Sequence, residues 1–128
     1  MGAAEGRKKL LGQGIDFGKA FEHFIFMELR AYQTYRDPDI PLAFWRATPG
    51  YEVDFIVGDK ALAVEVKGSQ RVHEGDLRGL RALLDDGPVK KAVVVCMEKT
   101  PRWLSNDIEI LPWKLFLDRL WGGDLLAG

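Results

Sequence analysis

One cysteine among 128 residues leaves no partner for an internal disulfide, and it excludes any multi-cysteine zinc site. That residue, Cys96, lies in the run Ala92-Val93-Val94-Val95-Cys96-Met97, a setting for a buried strand thiol rather than a reactive one. No apolar stretch approaches the roughly 18–20 residues of a membrane span. Leu10-Leu11 is followed at once by Gly12, Gln13 and Gly14, so there is no signal-peptide core, and Gly6 stands where a myristoylation motif wants Ser or Thr. The expected compartment is the reducing cytoplasm. Nor is there a charge excess of either sign: 18 basic residues against 19 acidic give −1, so contact with a polyanion must rest on a local patch. The two histidines, His23 and His73, are isolated, and neither a Gly-x-Ser-x-Gly elbow nor a Cys–His pair occurs. What is present is ordinary for a globular domain: 47% apolar, 11% aromatic and 29% charged residues.

The length suits one domain, expected over 15–122 between a Gly- and Ala-rich lead-in at 1–14 and a tail at 123–128. Asp16 is a candidate N-cap for a helix running to about Arg36, where Asp37-Pro38 and Pro41 stop it. Phe17, Phe21, Phe24, Ile25 and Tyr32 form its apolar stripe. Strand-like runs follow at 42–48, 51–57 and 61–67, then a helix at 74–86 with Leu77, Leu80, Leu83 and Leu84 on one side. Lys90–Met97 reads as a buried strand, Ile108–Leu111 as a weaker one, and Pro112 precedes a closing helix ended by Gly122-Gly123. Trp103, Trp113 and Trp121 cluster late, as core or partner interface.

The second and third strands carry the chemical signal. Alternation sets Val53, Phe55 and Val57 against Glu52, Asp54 and Ile56; in the next strand it sets Leu62, Val64 and Val66 against Ala61, Ala63, Glu65 and Lys67. A turn at Asp59-Lys60 makes Asp54 directly opposite Glu65, and one at Gly58-Asp59 makes them diagonal neighbours. Either register brings both carboxylates and Lys67 to one face. Two carboxylates about 5 Å apart repel by roughly 3 kcal/mol at an effective dielectric near 20, and a divalent cation reverses that sign. The plainer reading is an amphipathic hairpin with a solvated charged face. Glu-x-Lys alone arises by chance about once per 250 residues, so taken alone it favours that plainer reading.

The order of elements adds to that signal. Gly18-x-x-Phe21-Glu22 on the first helix, Glu52-Val53-Asp54-Phe55 on a strand and Glu65-Val66-Lys67 on the next resemble the PD-(D/E)XK restriction-endonuclease-like superfamily. More narrowly, they are similar to the uncharacterised nuclease-like domain that follows an AAA-type P-loop ATPase in many bacterial and archaeal proteins. The resemblance covers roughly residues 14–120. It implies an α/β (α+β) core of helix, three strands, helix and strand, with a central mixed sheet flanked by helices. It also implies Mg²⁺ or Mn²⁺ on Asp54, Glu65 and the Val66 carbonyl, a water- or phosphate-orienting Lys67, and Glu22 on metal-site water. The implied activity is metal-dependent hydrolysis of nucleic acid, DNA foremost; the alternative is a recognition or regulatory module of the same fold that does not cleave. The motif's proline is absent before Asp54, and no P-loop exists: the nearest match, ending Gly18-Lys19-Ala20, has Gln13 for its first glycine. A fragment or a stand-alone version of such a protein is therefore expected.

Two points stay open at this level. On a helical wheel Glu28 lies about 20° from Phe17 and about 120° from Glu22, so geometry favours Glu28 while the resemblance favours Glu22. Arg71, Arg78 and Arg81, just beyond Lys67, are candidates to grip a nucleic-acid backbone, but solvated helix charges explain them equally well.

Overall fold

The computed structural model describes residues 14–126. Nearly all of the lead-in expected at 1–14, and the last two residues of the tail, lie outside them. Helix α1 spans Gly14–Arg36, β1 Leu42–Ala47, β2 Tyr51–Val57 and β3 Leu62–Val66. A 3₁₀ turn at Glu74–Leu77 leads into α2, Arg78–Asp86. Then come β4 Lys91–Cys96, β5 Arg102–Leu104, β6 Ile108–Pro112 and α3 Trp113–Trp121. The strands form one mixed six-stranded sheet in the order β1-β2-β3-β4-β6-β5. Both β1–β2 and β2–β3 are antiparallel, β3–β4 and β4–β6 parallel, and β5 antiparallel on β6. The fold is α+β with helices on both faces, as the sequence predicts. Among the described residues no helix is long and apolar enough to cross a membrane.

Two cores sandwich the sheet. On one face Phe21, Ile25 and Leu29 of α1 and Phe116 and Leu120 of α3 pack on Phe55, Val57, Leu62, Val64, Val66, Val93 and Val95. On the other, Leu77, Leu80 and Leu83 cover Ile56, Ala63, Ala92, Val94, Ile108 and Ile110. Each fully buried leucine contributes roughly 2 kcal/mol. The central strands are buried on both faces because the parallel crossover through α2 covers the side that a simple hairpin would leave wet. Cys96 is buried and free. Leu125, in the turns after α3, is buried as well, and Lys91 Nζ donates to the Asp124 carbonyl (2.6 Å).

Several local expectations change. Helix α1 begins at Gly14, so Asp16 sits within its first turn rather than capping it, where its charge still favours the positive helix end. Steps of four residues make Phe21, Ile25 and Leu29 the buried line; Phe24 falls on its flank and is 40% exposed. Strand β5 is absent from the sequence reading, because three residues with an exposed Trp103 give too little periodicity.

The most consequential change lies in β2. Val53 packs with Ile56 and Leu77 on the α2 side, not with Phe55 and Val57. The β1–β2 register passes from Ala43↔Ile56 to Trp45↔Val53, so Phe44 alone faces both Asp54 and Phe55. This is a β-bulge, which breaks the two-residue period and re-aims one side chain. The re-aimed side chain is Val53, which turns to the α2 side, while Asp54 stays opposite Glu65.

Candidate active site

The β2–β3 ladder runs Val57↔Leu62, Ile56↔Ala63, Phe55↔Val64, the register in which Asp54 comes opposite Glu65. Backbone pairing gives way to side chains there. The Asp54 N–H donates to Glu65 Oε1 (3.3 Å), and the Val66 N–H donates to Asp54 Oδ2 (2.8 Å). Lys67 Nζ stands 3.8 Å from Glu65 Oε2, while its backbone N–H is held by the Val95 carbonyl (2.9 Å). Asp54, Glu65, Val66 and Lys67 line one cleft of about 550 Å³ at the end of the sheet. Lys19 and Glu22 of α1 close it on one side; Arg78 and Gly79 of α2 close it on the other.

Of the two helix acids, Glu22 enters this cleft. Glu28 turns to the closing helix, where it accepts a hydrogen bond from Trp121 Nε1 (3.1 Å). The wheel argument for Glu28 fails because its side of the stripe packs on α3, not on the acidic strands.

Glu22, Asp54 and Glu65 crowd together here, with the Lys67 ammonium drawing against them. Burial and then the adjoining Asp54 carboxyl push Glu65 up to about 9, against the pull of Lys67. Burial, followed by the Asp54 charge, pushes Glu22 up to about 7. Asp54 contributes to both upward shifts and lines the same cleft. Such crowding is costly without a counterion, and functional sites concentrate it.

Among the described residues no group of three or more His, Cys, Asp or Glu side chains is arranged to hold a metal ion. The donor chemistry nevertheless fits Mg²⁺ or Mn²⁺. These hard cations are held by one or two carboxylates, with water and substrate oxygens completing the shell. Asp54 and Glu65 meet that need, and Val66 lines the same cleft.

The three arginines separate. Arg78 lines the cleft, with its guanidinium 6.0 Å from the Tyr51 ring centroid. Arg81 is drawn away by Glu74 (3.0 Å), Asp107 (2.9 Å) and Ser105 Oγ (2.7 Å). Arg71 is exposed, 3.9 Å from Glu98. A three-residue step on α2 therefore does not make Arg78 and Arg81 one patch. His23 and His73 are both exposed.

Sequence reasoning missed Lys19, one helical turn from Glu22, and it missed the support behind Lys67. Buried Glu98 accepts from Arg102 Nε (2.7 Å) and from the Val72 N–H (2.7 Å), while Arg102 donates back to the Val72 carbonyl (2.7 Å). This clip ties the segment after Lys67 to the end of β4. Its only sequence signal was a Glu–Arg pair four residues apart, which on a helix would have been unremarkable.

The Arg102 guanidinium, aided by the Val72 N–H against burial, holds Glu98 down from 4.5 to about 2. A lowered carboxylate stabilises the fold above pH 4.5, and that stabilisation is lost as pH falls toward 2. It amounts to roughly 3 kcal/mol. Thermal melts from pH 6 to 2.5 should show this acid limb, and Glu98→Gln should flatten it while lowering the melting temperature at pH 7. An identical acid limb in the variant would exclude Glu98 as its source.

The chain is thus an α+β domain with a cleft of crowded carboxylates and a lysine at one end of its mixed sheet. Residues 17–116 match the family described as "Domain of unknown function (DUF4143)", and the chain belongs to that family. No curated protein and no solved structure matches the chain.

Proposed function

We propose that this chain is a nuclease domain of the PD-(D/E)XK type that hydrolyses phosphodiesters in nucleic acid, DNA foremost, using Mg²⁺ or Mn²⁺. The convergence of Glu22, Asp54, Glu65 and Lys67 on one cleft carries the reading. It is a stronger signal than Glu-x-Lys alone, because three separate elements supply the four groups. Asp54, Glu65 and the Val66 carbonyl would hold the cation, which supplies Lewis-acid polarisation of a phosphoryl oxygen and an acidified water. The Lys67 ammonium orients the attacking water or offsets charge growing on the phosphate. Glu22 accepts a hydrogen bond from that water, and Arg78 grips a neighbouring phosphate. The water oxygen bonds to phosphorus and the P–O ester bond breaks, while one proton of that water passes through solvent to the leaving oxygen. An AAA-type P-loop ATPase module is the proposed partner, and the cytoplasm the proposed setting.

A second reading is a recognition or regulatory module of the same fold that does not cleave. The cleft's charge favours it: Glu22, Glu52, Asp54, Glu65 and Asp76 stand against Lys19, Lys67 and Arg78. That excess repels phosphate until a cation offsets it.

Cleavage of labelled single- and double-stranded DNA and RNA in Mg²⁺, Mn²⁺ or EDTA decides between the two. The nuclease reading requires product with a divalent ion and none in EDTA. Lys67→Ala should lower kcat by about 10²-fold or more with little change in the Mg²⁺ concentration needed, since an ammonium is no ligand. Full activity in EDTA would rule the mechanism out; no product on any substrate would favour the silent module.

A further inference from the structure

Beside the acidic cleft the same end of the sheet carries a surface of opposite character. The parallel register sets Val66, Val95 and Leu111 in one row across β3, β4 and β6. Lys67 is thus level with Cys96 and Pro112, and Trp113 comes one residue beyond. Two strand spacings, roughly 10 Å, separate β3, which ends just before Lys67, from β6, which ends just before Trp113. The link between them is tight, for the Met97 N–H donates to the Ser69 carbonyl (3.0 Å). A second cavity of about 380 Å³ opens here, with Lys99, Pro101, Trp113 and Lys114 on its walls. Lys114 Nζ lies 5.4 Å from the Trp113 ring centroid, and Phe24 meets that ring edge-on at 5.8 Å. Phe24 is 40% exposed and Met27, one turn along α1, is 52% exposed. The one acid in the wall, Glu98, is consumed by Arg102. Lys99 and Lys114 are both exposed, so the patch is aromatic and net positive.

We infer that this Lys99–Trp113–Lys114–Phe24 surface binds the unpaired strand of a nucleic acid and leads it to the cleft at Lys67. This rests on the nuclease reading for its direction and names the substrate form: single-stranded, or a frayed end. Exposed aromatic rings stack bases whatever the sequence, and flanking lysines hold the backbone between them. A duplex keeps its base faces covered and gains only from the lysines. Charge complementarity decides the occupant, because an acid-poor wall with two free ammonium groups suits a polyanion. The position also fits, since ligands of open sheets with parallel strands gather beyond the strands' carboxyl ends.

The test measures binding of fluorescent 12-residue oligo(dT), oligo(U) and a 12-base-pair duplex to the whole chain in EDTA at low salt. Single strands should bind more tightly than the duplex; the ratio of dT to U shows which sugar is preferred. The double variant Lys99→Glu, Lys114→Glu changes only exposed side chains, so folding should persist. It should weaken single-strand binding at least tenfold and reduce the log–log salt slope by about 1.4. Trp113→Ala should weaken single strands more than duplex, and Trp113→Phe should restore much of that, although Trp113 also touches the core. Unchanged single-strand affinity in the charge-reversed variant, or no binding by the wild type, overturns the assignment and leaves the patch to a protein partner. The two readings fail separately. Strand binding lost on charge reversal, with no cleavage in any metal, upholds the surface and sinks the nuclease; cleavage with binding unaffected by charge reversal does the opposite.

Discussion

Asp54→Asn and Glu65→Gln should each abolish metal-dependent cleavage, by 10³-fold or more on the scale of lost electrostatic stabilisation, while leaving the protein folded. Glu65→Gln should go further and raise the melting temperature in EDTA. Glu65 is 6% exposed and faces Asp54, so its charge meets both desolvation and repulsion. An amide of the same shape keeps an acceptor for the Asp54 N–H and spares the fold the proton that Glu65, pushed up to about 9, takes up at pH 7. The gain is at most about 3 kcal/mol, the cost of binding that proton at pH 7 when the unfolded carboxyl titrates near 4.5. Added Mg²⁺ should then stabilise the wild type and leave Glu65→Gln nearly unmoved, because binding to the folded state raises stability only where a site exists. Melting curves with and without 10 mM Mg²⁺, beside the cleavage assay, read both effects. A variant that loses activity and also loses stability in EDTA would mean that Glu65 is a structural carboxylate, and the argument for a strained cation site would fail.

Gly79→Ala is expected to be the most damaging conservative change in the chain. A Cβ on Gly79 would collide with the Glu52 carbonyl oxygen and crowd the Glu52 carbonyl carbon at 2.9 Å. Both belong to backbone, which cannot rotate away. In an exposed helix the same change would stabilise by roughly 0.5–1 kcal/mol, since glycine loses the most conformational freedom on folding. Here α2 must instead move off β2, at a net cost of about 1–3 kcal/mol or more. The displacement would also carry Arg78 away from the cleft. Gly75→Ala is the matched control, because a Cβ there meets nothing within 4 Å. Urea unfolding should give a lower midpoint and unchanged slope for Gly79→Ala and a near-normal curve for Gly75→Ala. Equal midpoints for the two would disprove the close approach of α2 to β2.

Both effects arise where helices meet the bulged end of β2, which explains why this corner hosts the candidate site. Burying a carboxylate next to another carboxylate opposes folding, and the two cores on either side of the sheet supply the offset. The Glu98–Arg102 clip serves the same corner from behind by fixing the loop that follows Lys67. Removing either partner would leave a buried charge unpaired, a loss of about 3–5 kcal/mol.

Much of the molecule follows from residue order alone. The apolar spacing in α1 and α2, the uninterrupted run of β4 and the stops at Asp37-Pro38 and Gly122-Gly123 are local signals, set by backbone sterics and side-chain period, and the elements stand close to where those signals put them. The antiparallel pairing that sets Asp54 beside Glu65 follows too, because it must match one strand's apolar set to the other's, but the choice between two registers was left to the fold. Tertiary structure alone decided the rest. Alternation assigned Val53 to the wrong face, since a bulge depends on what β1 offers across the strand and leaves no mark in β2's own period. The choice of Glu22 over Glu28 turned on which neighbour each side of α1 meets, and a wheel knows only angles. Arg81 left the cleft for Glu74 and Asp107, partners 7 and 26 residues away that no local spacing could reveal. Glu98 carries no local signal of burial; its partners Val72 and Arg102 close over it only in the folded chain. Period and propensity act within a few residues, so they settle the elements; charge, burial and hydrogen bonding act across space, so only the folded chain settles which of those residues share a site.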